Sequence, residues 1–287
     1  MEDVLCFSVD AESDWGEPIA KGFGVTGYPT MLFLNPDGSV RDKIGGYLPP
    51  EPFVSEVNRI KKGEGTIVGL RKKVEADPKN LEARYELAMK LREFGDDTGY
   101  QEQIEAIKAL DPEGKSEAMA LIQLDEVLAG IDGRNPDAAA LEAFLAKATN
   151  PKALFRGHDV RSRIYAWKLQ NASEEQAGAL RASLIDAYRN AWAHCPESQI
   201  GGYGNSIAWN LWEMREDLAN AEKAFALEVA KKAAAAAGDA STLDTLACCQ
   251  FMNGDVEGAN ATIDRAIELE PDNKEWQDRK KLFQTEG

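Results

Sequence analysis

Two Asp-Pro dipeptides, Asp77-Pro78 and Asp111-Pro112, stand 34 residues apart, and the chain between them has a helical period. Residues 81–94 form one apolar-striped segment, Gly95-Asp96 breaks it, and residues 100–110 form the next. Leu87, Ala88 and Leu91, then Ile104 and Ile107, fall at helical spacing and line one face of each segment. Proline lacks the N–H that continues a helix, so each Asp-Pro acts as a stop. A segment built this way folds as helix–turn–helix, and its apolar stripe needs a neighbour to cover it. The pattern recurs before Pro271, where Leu246-Ala247, the turn Gly254-Asp255, and Ala259, Ile263 and Ala266 keep the same spacing.

The 34-residue unit resembles the tetratricopeptide repeat, TPR. Tyr100 stands where that repeat usually has the alanine of its tight helix crossing. The resemblance implies a stack that binds an extended peptide on the face made by the first helices. On that face the first repeat would place Glu82, Tyr85, Glu86, Met89 and Arg92, and the last would place Asp244, Thr245, Cys248 and Phe251. Tyr85, Met89, Arg92, Asp244, Cys248 and Phe251 are the peptide-groove candidates. The Lys/Asn/Arg pattern that clamps a C-terminal carboxylate in some relatives is not visible. A mixed, partly acidic face suits a basic or apolar partner segment, and a merely solvated face is the alternative.

The remaining helices divide into residues 66–112 as a first TPR-like unit, 113–200 as degenerate hairpins, and 201–287 as further repeats. In the middle section, hairpins are expected over 116–128 with 137–146, and over 150–169 with 173–194. Ser173-Glu174-Glu175-Gln176 marks a helix start. Residues 207–212 with 221–236 read as a longer, divergent repeat, and 276–283 as the capping helix that such a stack needs. Trp209 and Trp212 fit a core role better than a groove wall, because large aromatics dominate burial.

The first 63 residues read differently. Val4-Leu5-Cys6-Phe7-Ser8-Val9 is an apolar run of the kind that forms a buried strand. Residues 12–22 carry helix formers around Trp15, Ile19 and Ala20 and stop at Gly22 and Gly24. Thr30-Met31-Leu32-Phe33-Leu34 predicts a second strand. Asn35-Pro36-Asp37-Gly38 predicts a tight turn, since Pro36 presets φ and Gly38 accepts φ > 0. Residues 40–44 return as the other strand of the hairpin. Pro49-Pro50-Glu51 opens a helix with Phe53, Val57 and Ile60 on one face.

That order resembles the thioredoxin family from its third strand onward. The residues that carry the likeness are Asp10, Gly24-Val25, Gly27-Tyr28-Pro29-Thr30, Pro36-Asp37-Gly38 and Gly46. The resemblance implies a cis Tyr28-Pro29 peptide and a substrate-docking loop of Gly27, Tyr28, Pro29 and Thr30, in which Tyr28 offers its backbone to an extended strand. The family's central strand and its Cys-x-x-C helix have no counterpart here. The strands expected at 4–9 and 30–34 then lack the strand between them, and an uncovered apolar edge is a liability. Either the segment is the tail of a longer gene product, or the two strands pair directly. The expected fold class is an α/β partial thioredoxin-like unit over 1–63, followed by an all-α TPR-like helical-hairpin solenoid.

Composition narrows the function. Apolar residues make up 44% of the chain, enough for packed cores. A formal charge of −16 argues against nucleic acid or an anionic membrane as the main partner. No apolar run is long enough to span a membrane, and the acidic start at Met1-Glu2-Asp3 is unlike a signal peptide. Cys6, Cys195, Cys248 and Cys249 are too few and too scattered for a disulfide framework. Cys6 reads as a small core residue, and Cys248-Cys249 as a packed pair. His158-Asp159 and His194-Cys195 are sequence neighbours that point apart on a helix. They read as packing or surface groups, and no metal site, cofactor or catalytic residue is expected. The composition reads as cytoplasmic, with a periplasmic or exported placement if a signal sequence lies upstream.

The residues leave two functional readings open. The first is an interaction module that recruits a protein or extended peptide. The second is a thiol–disulfide oxidoreductase whose Cys-x-x-C lies upstream of Met1. Such chemistry needs a low-pKa thiolate at a helix N-terminus, and Cys6 is wrongly placed for it.

Overall fold

The computed structural model describes residues 5–285, and the chain divides into two compact units, residues 1–119 and 120–287. The first unit opens with α1 (Gly16–Gly22), β1 (Thr30–Leu34), β2 (Val40–Gly45) and α2 (Pro50–Lys62). The two strands form an antiparallel hairpin with Met31 opposite Ile44 and Phe33 opposite Asp42, and a bulge after Phe33. The turn forms as expected: the Asn35 N–H donates to the Ser39 carbonyl at 2.8 Å, and Gly38 takes φ 83°. Asp42 and Ile44 of β2 are buried, as is Ile60 on the expected face of α2.

The strand expected over 4–9 does not form. Residues 5–10 carry no regular structure, and Leu5 and Phe7 are each 86% exposed; Val4 lies outside the described residues. A strand is held by its ladder partners. Among the described residues the sheet is two-stranded, β1 with β2, so residues 5–9 do not pair with β1. Helix α1 also starts later than expected. Ser13 Oγ donates to the Asp10 carbonyl at 2.6 Å and accepts the Gly16 N–H at 3.1 Å, so residues 10–15 are a turn. A Cβ on Gly16 would overlap the Asp10 carbonyl.

The unit continues with α3 (Ile67–Ala76), α4 (Leu81–Glu93) and α5 (Asp97–Leu110), and α6 (Glu117–Ala129) spans the boundary between the units. Side-chain caps start the helices. Thr66 accepts from the Gly69 N–H at 3.2 Å, Asn80 from Ala83 at 2.9 Å, and Asp96 from Gly99 at 2.8 Å. Each such cap stabilises its helix by about 1 kcal/mol. Leu70, Leu87 and Leu91 are the buried core where α3 and α4 meet, and Tyr100 of α5 packs against it.

The second unit runs through α7 (Ala139–Leu145), α8 (Pro151–Gln170), α9 (Glu174–Ala193), α10 (Ile200–Glu213), α11 (Asn220–Ala237), α12 (Ala240–Met252), α13 (Val256–Leu269) and α14 (Lys274–Thr285). Consecutive helices pack as antiparallel pairs, α8 with α9, α10 with α11 and α12 with α13, and α14 closes on α13 and α12. Leu184, Ile185, Ile207, Leu211 and Val229 build one core; Leu243, Ala247, Ile263 and Phe283 build another. Fully burying a side chain of this size contributes about 1.5–3 kcal/mol.

The hairpins α4–α5 and α12–α13 match residue by residue. Asp96 caps α5 through Gly99, and Asp255 caps α13 through the Gly258 N–H at 2.9 Å. Gly95 and Gly254 take φ 77° and 82° in the turns. The Asp96 N–H bonds to Leu91 at 2.9 Å, and the Asp255 N–H to Gln250 at 3.0 Å. Beyond the second helices, the Asp111 N–H bonds to Ile107 and the Glu270 N–H to Ala266 before each proline. The match makes these two hairpins copies of one helical repeat. Ala259 is fully buried at the crossing, and its counterpart Tyr100 is half-buried there.

Candidate functional site

Helices α2, α3 and α4 flank an open groove of about 500 Å³ in the first unit. Its accessible apolar lining is Tyr85 and Met89 of α4, with the buried Leu70 of α3 beneath them. Tyr85, Met89 and Glu93 are spaced four apart, and Glu86 and Lys90 lie beside them, so one face of α4 supplies half the lining. Arg59 comes from the last turn of α2, Glu64 and Gly65 from the loop after it, and Lys73 from α3. The loop turns on Gly63 at φ 77° and Gly65 at φ 65°.

The rim charges compensate one another. Lys73 lies 3.6 Å from Glu86, and Lys90 lies 3.1 Å from Glu93. Arg59 donates to Glu56 and to the buried Asp42, each at 3.0 Å, and to the Glu64 carbonyl at 2.5 Å. Burial works against the Arg59 charge, but the bonds to Glu56 and Asp42 outweigh it and raise its pKa. The lining has three cations, Arg59, Lys73 and Lys90, against three carboxylates, Glu64, Glu86 and Glu93. The groove is therefore neutral and apolar-floored, not acidic as the overall charge suggests. Arg92 does not line it; its guanidinium sits over the Tyr100 ring at 5.1 Å, with Nη2 3.2 Å from Met89 Sδ.

A second concavity, about 380 Å³, lies over the other face of the hairpin. Thr30 and Leu32 of β1 with Lys43 and Gly45 of β2 form its floor, and residues 23–28 form a wall. The Tyr28-Pro29 peptide is cis. The Pro29 carbonyl accepts from the Gly46 N–H at 2.8 Å, and Thr30 Oγ1 donates to the Gly27 carbonyl at 2.7 Å. Tyr28 is 61% exposed. Glu93 lines both concavities, so the end of α4 separates them.

The candidates in the last hairpin do not form an open face. Asp244, Thr245 and Cys248 are buried, and Phe251 is half-buried. Helix α14 covers them: Arg279 Nε bonds to Asp244 at 3.2 Å, and Phe283 stacks on Phe251 with ring centroids 4.8 Å apart. The capping helix expected from 276–283 fills the place where a peptide was expected. Burial pushes the Asp244 carboxyl up, and Arg279 opposes that shift. Trp212 is buried in the core beside Phe251, and Trp209 packs against the same cluster.

Burial pushes up the thiols of Cys195, Cys248 and Cys249, the last to about 12, and all four cysteines are free. Cys6 is exposed, not a core residue as expected, because its segment joins no sheet. His158 is buried in α8; burial, then the Arg161 charge, lower its pKa to about 4. Among the described residues, no helix is long and apolar enough to cross a membrane.

Sequence reading missed Leu70, Lys73, Arg59 and Glu64. The signal available was Thr66-x-x-Gly69, a helix start ahead of the Asp77-Pro78 stop, which marks a further helix just before α4 in the sequence.

No known family profile matches this chain, and no curated protein does. Among solved structures, it is similar to a thermophilic TPR protein of Thermus thermophilus. The likeness covers 81% of this chain and 97% of that one, at 15% identity and a TM-score of 0.36. It is the matched hairpins α4–α5 and α12–α13 of this chain that define its repeat.

Proposed function

We propose that the chain is a protein–protein interaction module of TPR type, and that the α2–α3–α4 groove takes an apolar segment of its partner. The observation that carries this reading is the combination of Leu70, Tyr85 and Met89 with a charge-compensated rim. A neutral rim selects against strongly charged ligands, while an aromatic and a thioether adapt to apolar side chains. Affinity capture with the full chain tests it. Tyr85→Ala and Met89→Glu should each lose a partner that Glu102→Ala, on the exposed face of α5, retains. Equal capture by all three variants contradicts the reading.

Residues 1–63 are read as thioredoxin-like in ancestry, with Gly27, Tyr28, Pro29 and Thr30 as its docking loop. The support is the motif order in the sequence together with the concavity beside that loop. Thiol–disulfide exchange would need a Cys-x-x-C supplied from upstream sequence. An insulin-reduction assay on this chain should stay flat, and turnover would favour the oxidoreductase reading.

A further inference from the structure

The surface beside the groove departs from the charge of the rest of the chain. Residues 57–74 hold six cations, Arg59, Lys61, Lys62, Arg71, Lys72 and Lys73, against Glu64 alone, in a chain of 33 cations and 49 carboxylates. They come from the end of α2 and from α3. Gly69 of α3 packs on the Gly63 carbonyl just past α2, so closely that a Cβ would overlap it. That contact brings the two helix segments together, with Lys62 just before it and Lys72 about one helical turn after it. Lys61, Lys62 and Lys72 are all exposed. Among the described residues Lys61 and Lys72 make no ion pair, and Lys62 reaches only Glu64, at 4.0 Å. Cations at a helix C-terminus suit the macrodipole, which accounts for Lys61 and Lys62 but not for Lys72 in the middle of α3. The patch adjoins the groove, because Lys73 and Glu64 both line it.

We propose that the partner segment seated in the groove is acidic beside its apolar residues, and that its carboxylates lie against Lys61, Lys62 and Lys72. This rests on the groove reading above and adds the chemistry of the flank. The charge-compensated rim admits apolar side chains, and the lysines outside it select the charge that follows them. A short acidic peptide fits better than a long polyanion. Charges are screened over about 10 Å at 0.1 M salt, so a short segment on the patch is attracted by the local lysines. A nucleic acid or an anionic membrane extends past the patch and meets the rest of a chain of net charge −16.

Panning a random peptide library displayed on phage against the full chain tests this. The expected result is enrichment of peptides that pair apolar residues with glutamate or aspartate. Their binding should weaken by at least about tenfold from low to high salt. Replacing the three lysines together (Lys61→Ser, Lys62→Ser and Lys72→Ser) should abolish the acidic preference and keep the apolar one. Replacing all three with arginine should keep both. The three side chains are exposed, so neither variant should lose its thermal transition. Tyr85→Ala should lose the apolar preference. Apolar peptides with no acidic preference, or a preference that the serine variant retains, overturn this inference and leave the groove reading standing. Enrichment that Tyr85→Ala leaves unchanged overturns both. Tighter binding of duplex DNA or anionic vesicles than of any acidic peptide, or self-association that the serine variant abolishes, assigns the patch to another occupant and overturns the inference.

Discussion

The carboxylate of Asp42, fully buried on β2, accepts from Lys90 Nζ of α4 at 2.6 Å. Its other oxygen accepts from Arg59 of α2 at 3.0 Å. One carboxylate thus joins the hairpin, α2 and the first helical repeat behind the groove. Removing one partner of a buried ion pair costs about 3–5 kcal/mol, because the charges left behind stay desolvated. Lys90 keeps Glu93 and Arg59 keeps Glu56, so Asp42→Asn should cost near the lower end, about 3 kcal/mol. Urea denaturation gives the value. A loss below about 1 kcal/mol, typical of an exposed pair, contradicts this role.

His158 should make stability depend on pH. Its folded pKa, about 4, lies below the ordinary 6.5, so the unfolded chain binds the proton first. The contribution is fully present above pH 6.5 and is lost as pH falls toward 4. The slope is about 1.4 kcal/mol per pH unit. His158→Gln should flatten that part of the stability profile. An unchanged profile in the variant would assign the slope to other groups.

Gly204 and Gly202 of α10 should respond oppositely to alanine. A Cβ at Gly204 would lie 2.9 Å from the Trp192 ring and 3.1 Å from the Ala233 methyl, whereas a Cβ at Gly202 meets nothing within 4 Å. Overpacking makes Gly204→Ala cost about 1–3 kcal/mol. Gly202→Ala should stabilise by up to about 1 kcal/mol through helix propensity. Thermal melts of the pair check this, and equal effects would mean that α10 does not sit against Trp192 and Ala233.

Phe283→Ala should cost about 3–5 kcal/mol, the usual penalty for a buried phenylalanine, and should expose Phe251. The check is a fluorescent apolar dye together with a urea melt. A stability loss without dye binding would place Phe251 under other cover.

The helical repeats were legible because local chemistry dictates them. Gly95 and Gly254 need φ > 0, Asp96 and Asp255 cap the second helices, and the prolines stop them. The 30–44 hairpin was legible for the same reason, since Pro36 and Gly38 fix its turn locally. The strand expected over 4–9 does not form at residues 5–9, because an apolar run says nothing about whether a ladder partner exists. Asp244, Cys248 and Phe251 were misplaced as groove residues because α14 folds back over them, a tertiary event that spacing does not encode. The groove itself was half visible: α4 announced Tyr85 and Met89, but Leu70 and Lys73 enter from a helix whose place beside α4 depends on packing.

Site-specific photocrosslinking shows whether the α2–α3–α4 groove seats a partner protein. A photoreactive residue at Met89 should give a discrete adduct in cells, lost when Tyr85→Ala is added. The same residue at Glu102, on exposed α5 surface, should not give that adduct. No adduct at 89, or the same adducts from both positions, would mean that the groove does not seat a partner.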